Sequence, residues 1–452
     1  MGESTRPLTF TAAGDAMITT RLTASDRPEF EALIDRIRET DAAMVNLEVL
    51  LHEFDGYPAA NGPGTYMQAP PSVADELTDM GFDLFSAATN HAIDYSHGGM
   101  EATMDALDER AIPYAGFGRT LADARAPVFA ETEAGRVGLV AACSTVTTGS
   151  AAGRQRHDMV GRPGISPLRH DVRYRVPDDA YDSLQDISEQ LGLERYKDWY
   201  DHLGFPIGNP DADPFRLIAL GGDTHPGIER ADDFGIRRVP NPNDVEEYVA
   251  GVRRAKRQAD WVIASLHSHE GDGAMSTDES VAPFIEDVAR ECIDAGADAF
   301  VGHGAHTLRG IELYDGAPIF YSLGNFVAQN ELIDRLPTEV YDRYGLGDDA
   351  TPMDVYDARA IDDDGNPAGF LSDRGYFETV LPVCEFDDDG VRSIELHPVD
   401  LQFESPRSQR GRPILADESV ASGIFDRLQD LSAPYGTELI DEGGVGRIVV
   451  DR

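Results

Sequence analysis

Short apolar runs alternate with amphipathic stretches along most of the chain. The apolar runs predict strands at residues 8–13, 42–47, 82–88, 112–115, 128–130, 136–143, 215–220, 261–266 and 299–301. Apolar residues recurring every three or four positions predict helices at residues 28–39, 71–80, 98–110, 244–258, 281–295 and 418–431. This alternation of strands and helices indicates an α/β fold.

The regular pattern breaks twice. Between residues 144 and 213, proline, histidine and charged residues are scattered around one helical piece at 181–192, which predicts an insertion over the functional site, either a lid or a surface excursion. Residues 327–374 are acidic and irregular, and a β-hairpin is predicted at 376–386 and 391–398. We therefore expect one domain over residues 8–327 with an insertion at 144–213, and a C-terminal extension, 328–452, whose hairpin and helix pack on the same domain.

The charge balance is strongly acidic. The 452 residues carry 82 Asp and Glu against 38 Lys and Arg, a formal charge of −44, and the only lysines are Lys197 and Lys256. This composition predicts a halophilic surface, because carboxylates stay hydrated in molar salt. A genome that disfavours lysine codons would explain the missing lysine but not the excess of carboxylates. The charge argues against nucleic-acid and anionic-membrane partners.

Three further features bear on location and covalent structure. Cys143, Cys292 and Cys384 are odd in number, lack CxxC spacing and lie in apolar runs, so we expect buried thiols and no disulfide framework. Neither an apolar leader nor a membrane-spanning run is visible. The expectation is a cytoplasmic protein whose oligomeric state the sequence leaves open.

Polar residues that can bind metal follow the predicted strands. They are Asp15, Glu48, Asn90, His91, His267, His303 and His306. Open α/β sheets bind ligands at the carboxyl ends of their strands. A Gly-Asp pair can be a plain turn, and Asn90-His91 can cap a helix. Because such residues occur just after strand after strand, however, they predict one shared metal site.

The ligand types narrow the choice of metal. Imidazole and carboxylate without thiolate favour one or two divalent cations such as Mn²⁺, Zn²⁺ or Fe²⁺. A carboxylate can bridge two cations about 3.5–4 Å apart. His267 and His269 alternate along an extended chain, so at most one of them is expected to face the site. His225 follows the predicted strand at 215–220 and is either a further ligand or a turn residue.

The order of these motifs resembles the CapA family of poly-γ-glutamate capsule-synthesis-type proteins. The sequence has Gly14-Asp15, Asn46-Leu47-Glu48, Thr89-Asn90-His91 with Asp94, His267, Gly302-His303-Gly304-Ala305-His306 and Tyr321-Ser322-Leu323-Gly324-Asn325-Phe326. The resemblance covers residues 8–327 apart from the insertion. It implies a calcineurin-like metallophosphatase fold, a layered α-β-β-α sandwich with insertions.

The resemblance also implies individual roles. Asp15 and His306 would bind the first metal, Glu48 would bridge, and Asn90, His267 and His303 would bind the second. His91 would contact substrate or protonate the leaving group, and Glu270 and Asn325 would support the site, Glu270 as a second catalytic candidate.

Two departures from the phosphatase pattern matter. Met17 stands where phosphatases of this fold commonly have the histidine of Asp-x-His, and Glu48 replaces an aspartate. The first metal would therefore bind weakly, be absent, or be a harder ion such as Ca²⁺.

Three functions follow from the resemblance. The first is a metal-dependent hydrolase of the metallophosphoesterase type, linked to capsule or poly-γ-glutamate biosynthesis and acting on a small molecule, peptide or polymer. The second is a metal-dependent peptide epimerase, in which His91 and a group near His269-Glu270 move the Cα proton. The third is a non-catalytic polymer-binding assembly component.

Overall fold

The computed structural model describes residues 6–23, 25–60, 62, 64–204, 227–273, 279–362, 364–366 and 368–450. The strand predicted at 215–220 and the candidate ligand His225 lie outside the described residues.

Strands account for much of the described chain. In order they are β1 (Leu8–Met17), β2 (Ala42–Leu47), β3 (Leu50–Leu51), β4 (Gln68–Ala69), β5 (Leu84–Ser86), β6 (Tyr114–Ala115), β7 (Phe117–Gly118), β8 (Val128–Thr132), β9 (Gly135–Cys143), β10 (Gly164–Ile165), β11 (His170–Val176), β12 (Gly227–Arg230), β13 (Gly235–Pro240), β14 (Trp261–His267), β15 (Ala299–His303), β16 (Ile311–Tyr314), β17 (Ala317–Phe320), β18 (Asn325–Ala328), β19 (Glu378–Asp387), β20 (Gly390–Asp400), β21 (Ile414–Leu415), β22 (Leu439–Asp441) and β23 (Gly446–Ile448).

Helices fill most of the intervals between strands. The α-helices are α1 (Pro28–Arg38), α2 (Val73–Met80), α3 (Ser96–Glu109), α4 (Leu121–Ala124), α5 (Asp178–Leu191), α6 (Leu193–His202), α7 (Pro242–Lys256), α8 (Pro283–Asp294), α9 (Thr338–Arg343), α10 (Pro352–Arg359) and α11 (Glu418–Ser432). The α/β class predicted from the sequence is confirmed.

Two large sheets carry the fold. The ten-stranded sheet runs β22-β23-β20-β19-β1-β2-β5-β6, with β18 beside β1 and β21 beside β20. The six-stranded sheet runs β16-β17-β15-β14-β9-β8. β1, β2 and β5 are parallel, as are β9, β14 and β15. The C-terminal hairpin β19–β20 joins the first sheet because β19 pairs antiparallel with β1.

The two faces of each sheet belong to different apolar clusters. In β2, Ala42 and Met44 lie in a cluster that also contains Trp261 and Ile263 of β14, so it draws on both sheets. Neighbouring residues of β2 instead pack with α1 and α2, and neighbouring residues of β14 pack with α7 and α8. Successive side chains of each strand therefore point to opposite faces of the sheet, one toward the shared cluster and the next toward the helices.

The predicted apolar face of α1 is confirmed. Phe30, Leu33, Ile34 and Ile37 are all buried, and each such side chain stabilises the fold by about 1.5–3 kcal/mol. The helix begins with Pro28 at its first turn, where the missing N–H has no intrahelical partner to lose. Gly81, the predicted stop of α2, has a φ of 109°, which only glycine adopts without strain.

Two segments are more regular than predicted. Within 144–213 the structure contains β10, β11, α5 and α6, and β11 pairs with β12 and β13 in a three-stranded sheet. In β11 (sequence HDVRYRV) Val172, Tyr174 and Val176 share one face and the charged residues share the other, an alternation typical of a strand that the prediction of an irregular insertion overlooked. In the stretch 327–374, predicted to be irregular, α9 and α10 are helical.

The three cysteines are free and buried, as predicted. Over the described residues, every helix falls short of the length and apolar character that a membrane crossing requires.

Candidate metal centre

Strand register brings the polar residues together. Asp15 of β1 pairs with Asn46 of β2, after a register shift that follows Ala13. At the end of the other sheet, His267 of β14 pairs directly with His303 of β15. The carboxyl ends of parallel strands from both sheets therefore meet at one place.

The turn after β15 adds His306. Gly304 has a φ of 98° and His306 a φ of 63°, so the chain reverses tightly within three residues. A Cβ on Gly304 would lie 2.8 Å from the backbone nitrogen of Ser268 and 3.0 Å from Nε2 of His267. The glycine is needed because the turn packs directly against another part of the site.

One group of side chains that could hold a metal ion consists of Asp15, His267 and His303, all fully buried. The two Nδ1 atoms of the histidines are 3.1 Å apart, and each lies 3.7 Å from Oδ1 of Asp15. The other oxygen of Asp15 accepts the backbone N–H of Gly304 at 2.9 Å. The carboxylate is thus fixed by the same turn that presents the histidines.

A second group consists of Glu48, His269 and His306. Nδ1 of His306 lies 3.4 Å from Oδ2 of Asp15 and 3.9 Å from Oε2 of Glu48. Nε2 of His267 lies 3.6 Å from Oε1 of Glu48, so the two groups adjoin. We call the six residues of both groups the carboxylate–histidine cluster.

Hydrogen bonds orient the rings of the cluster. Nε2 of His303 is 2.7 Å from the hydroxyl of Ser265, which itself donates to Ser86. The hydroxyl therefore accepts the proton of His303 Nε2, and the lone pair of Nδ1 points to Asp15 and His267. Nε2 of His267 is 2.9 Å from Oδ1 of Asn90.

Unpartnered atoms in the cluster fit a cation. Both carboxylate oxygens of Glu48 and Nε2 of His269 are buried without a hydrogen-bond partner. Burying a carboxylate without hydrogen-bond partners lowers the free energy of unfolding, and so does placing the lone pairs of two imidazole nitrogens opposite each other. A divalent cation would satisfy all of these atoms, so the side chains present fit a metal ion.

The pKa values also suit metal ligands. Burial lowers the pKa of His303 to about 4 and holds the pKa of His267 and of His269 well below the usual value, so these rings are neutral at pH 7. Burial raises the pKa of Glu48, and the neighbouring Asp15 raises it further. For Asp15, burial is outweighed by the hydrogen bond from His306 and by the nearby imidazoles, which lower its pKa.

His91 is paired with a buried carboxylate. Its Nδ1 lies 2.7 Å from Oδ2 of Asp94, which also accepts the backbone N–H of Met67 at 2.7 Å. Burial raises the pKa of Asp94, and His91 lowers it. Nε2 of His91 lies 3.9 Å from Oε1 of Glu48, so this nitrogen faces the cluster.

A cavity of about 450 Å³ opens onto the cluster. Asn90, His91, His269 and His306 line its floor, and other walls come from the chain after β18. The described part of segment 144–213, predicted to be a lid or a surface excursion, contributes no residue to this lining.

The predicted site residues are brought together with one exception. Asp15, Glu48, Asn90, His91, His267, His303 and His306 all lie in or against the cluster. The carboxylate of Glu270 instead binds the hydroxyls of Ser144 and Thr145 and does not line the cavity. Oδ1 of Asn325 lies 3.0 Å from Nδ1 of His306 and positions that ring.

One prediction was wrong. His267 and His269 were expected to point to opposite faces, but both belong to the cluster, and their ring centres are 5.3 Å apart. β14 ends at His267, so the strand geometry that alternates side chains no longer applies two residues later. The sequence His-Ser-His at a strand end was the signal that could have identified His269.

Comparison with known proteins gives one family. The model of the family described as "Bacterial capsule synthesis protein PGA_cap" matches residues 9–330. An uncharacterized protein, y4sH, from Sinorhizobium fredii (strain NBRC 101917 / NGR234) is 34% identical over 447 residues, which cover 97% of this chain and 92% of the relative.

Two more distant relatives have informative names. The capsule biosynthesis protein CapA of Bacillus anthracis is 24% identical over 293 residues, 64% of this chain and 51% of the relative. A probable polyglutamine synthesis accessory protein of Mycobacterium tuberculosis (strain CDC 1551 / Oshkosh) is 26% identical over 295 residues, 65% of this chain and 57% of the relative.

Proposed function

Because the chain belongs to the bacterial capsule synthesis protein PGA_cap family, we propose that it is a metal-dependent hydrolase of the metallophosphoesterase type. The observation that carries the proposal is Glu48. Its two buried oxygens lack partners and lie between two groups of histidines, the position of a carboxylate that bridges two cations. The names of the relatives support an accessory role in polymer synthesis, such as poly-γ-glutamate or capsule synthesis.

We also propose that the fold is a layered α-β-β-α sandwich. The apolar cluster shared by the two sheets supports two inner layers, and the clusters formed with α1–α2 and with α7–α8 support an outer helical layer on each side. In this proposal residues 8–327 form the metallophosphatase-like domain, and the extension 328–452 adds to it through the pairing of β19 with β1.

The carboxylate–histidine cluster would hold one or two ions, with Mn²⁺, Zn²⁺ or Fe²⁺ favoured by its imidazole and carboxylate ligands and Ca²⁺ as a harder alternative. A bound cation would polarise the scissile group of the substrate and lower the pKa of a water molecule. Ser265 binds Nε2 of His303 and leaves Nδ1 for the cation, so this ligand is oriented before the cation binds. Asn325 contacts Nδ1 of His306 and positions that ring beside the cluster.

His91 is suited to move a proton. Oδ2 of Asp94 lies 2.7 Å from Nδ1 and orients the ring, so Nε2 faces the cavity and can donate a proton to a leaving group there. The roles of Asp94 and His91 resemble the orienting carboxylate and the acid of other hydrolases. Glu270 lies away from the cavity, and we propose that it supports the loop at Ser144–Thr145.

The experiment is hydrolysis of a generic phosphodiester and a generic phosphomonoester by Mn²⁺-supplemented protein. We expect turnover by the wild type, and its loss in His303→Ala. His397→Ala removes an equally buried histidine outside the cluster and is expected to keep turnover. If the wild type turns over neither ester, or if His303→Ala is as active as the wild type, the phosphoesterase proposal is wrong.

A second candidate function is epimerisation of a peptide Cα. The observation that favours it is that His91 and His269 both line the cavity, which gives two bases for one substrate. Exchange of a peptide Cα proton with deuterium from the solvent, in the absence of hydrolysis, would support this function. Metal-dependent stability without either reaction would support the third function, a polymer-binding assembly component.

A further inference from the structure

Part of the cavity wall lies beyond the region that the family model matches. The match ends at residue 330, but Arg359, Phe370 and Tyr376 line the cavity together with His91 and His306. The C-terminal part of the chain therefore contributes to the same cavity as the carboxylate–histidine cluster.

These three side chains form a stacked series that starts at the cluster. The ring of Tyr376 lies 5.4 Å from that of His306. Phe370 stacks on Tyr376, with ring centres 4.7 Å apart and planes 28° apart. The guanidinium carbon of Arg359 lies 5.3 Å from the ring centre of Phe370 and 5.3 Å from that of Tyr356. Arg359 is thus held by two rings.

Arg359 retains unused hydrogen-bonding capacity. Its Nη1 donates to the hydroxyl of Thr65 at 3.1 Å, which leaves other N–H donors of the guanidinium for a ligand. Its guanidinium contacts Thr65, Tyr356 and Phe370, and none of the ion pairs among the described residues involves it, although the chain has 82 acidic residues. Asp373 lines the same cavity, but its carboxylate accepts the backbone N–H of Gly375 at 2.9 Å.

Two neutral polar atoms on the wall are also without partners. Oγ1 of Thr307 and Oδ1 of Asn330 are buried, have no hydrogen-bond partner, and belong to residues that line the cavity. Buried polar atoms are rarely left in this state, and a polar ligand in the cavity would satisfy them. Arg359 and the hydroxyl of Thr307 can both donate hydrogen bonds to an anion, whereas Oδ1 of Asn330 accepts and would bind a donor group elsewhere on the same ligand.

We propose that Arg359 is a substrate-anchoring residue that binds an anionic group, a carboxylate or a phosphate, while the carboxylate–histidine cluster acts on another part of the same molecule. The planar guanidinium is suited to bind either oxyanion with two hydrogen bonds. The substrate is then an organic acid or the acidic end of a chain. The inference rests on the proposed function in one respect, which is that the reaction takes place at the carboxylate–histidine cluster.

The test is calorimetric titration of Mn²⁺-loaded protein with pairs of ligands that differ by one anionic end. The pairs are succinate with butyrate, glutarate with valerate, and adipate with hexanoate. In the wild type we expect at least one dicarboxylate to bind about tenfold or more tightly than its monocarboxylate partner, since a hydrogen-bonded charge contributes at least this factor. Arg359→Gln should abolish the difference.

Further variants and one further ligand separate the explanations. Arg335→Gln removes an exposed arginine that stacks on Phe54 outside the cavity, and it should leave the difference unchanged. Arg359→Lys keeps the positive charge but loses the planar guanidinium that can donate two parallel hydrogen bonds. It should therefore keep part of the difference in affinity between dicarboxylate and monocarboxylate. If 4-phosphonobutyrate binds more tightly than glutarate, and only when Arg359 is present, the anion is a phosphate rather than a carboxylate.

Two results would overturn the proposal. One is that Arg359→Gln binds the dicarboxylates as well as the wild type does. The other is that the wild type binds each dicarboxylate no more tightly than the monocarboxylate of the same chain length. Because the measurement is of binding, a protein without hydrolase activity still gives an answer, and failure of the proposed function can be told apart from failure of this inference.

Discussion

At the scale of single residues, the sequence predicts most of the side chains that the structure brings into the carboxylate–histidine cluster. The ends of the apolar runs predict Asp15, Glu48, His267, His303 and His306, and the structure brings all five into one cluster. His269 was missed because a rule for extended chains was applied past the end of a strand. Arg359 could not be found in this way, since nothing in its local sequence connects it to residues 50 or more positions away.

A residue-scale prediction concerns Ser265, which accepts the proton of His303 Nε2. Ser265→Ala should weaken metal binding by about 10–100-fold, because the ring loses the partner that orients its metal-facing nitrogen. The measurement is a competition titration against a chelating metal indicator.

The control for this prediction is Ser432→Ala, which removes an equally buried hydroxyl that accepts the N–H of Ile311 far from the cluster. It should bind metal as the wild type does. If Ser265→Ala also keeps wild-type affinity, the assigned orientation of His303 is wrong.

At the scale of elements, the apolar periodicity predicts the central strands and α1 well because these bury whole faces. It fails for α9 and α10, which lie in an acidic stretch with little apolar periodicity, whereas the alternation in β11 was present in the sequence and was overlooked. Each of these two helices buries only one or two apolar side chains, Val340 in α9 and Val355 and Tyr356 in α10, which is too few for a periodic pattern.

An element-scale prediction concerns the turn after β15. Gly304→Ala should destabilise the protein by about 1–3 kcal/mol, because its φ of 98° is strained for alanine and the added Cβ would meet the backbone of Ser268. Urea unfolding measures the change in the free energy of unfolding, and the metal titration above should show weaker binding as well.

Gly347→Ala is the matched control, since a Cβ there meets nothing within 4 Å. It should change the free energy of unfolding little. Equal stability of the two alanine variants would show that the turn tolerates a side chain and is not tightly set by its surroundings.

At the scale of the whole molecule, the composition predicts behaviour more readily than shape. We propose that the charge of −44 is an adaptation to molar salt. The predicted result is that the free energy of unfolding in urea rises between about 0.1 M and 1 M KCl, as the Debye length falls from about 10 Å to about 3 Å.

Sucrose is the control, because it favours compact states without screening charge. If sucrose raises the free energy of unfolding as much as KCl does, the effect comes from exclusion of the added solute from the protein surface and not from charge screening. A flat response to KCl would contradict the proposed salt adaptation.

The pairing of strands into two sheets lies beyond what periodicity can predict. The sequence predicts strands and the resemblance implies a layered order, but the place of β19 beside β1 depends on residues more than 350 positions apart, such as Thr11, whose hydroxyl donates to the carbonyl of Pro382. Such long-range pairing is decided by the packing of the whole chain.

The most direct test of the central claim is the metal content of the protein after incubation with Mn²⁺ and removal of unbound ion, measured by elemental analysis. We expect about one to two ions per chain in the wild type and in His397→Ala, and a clear loss in His303→Ala and in Glu48→Gln. Wild-type protein without bound metal, or variants that retain the full amount, would contradict the claim that the carboxylate–histidine cluster is a metal centre.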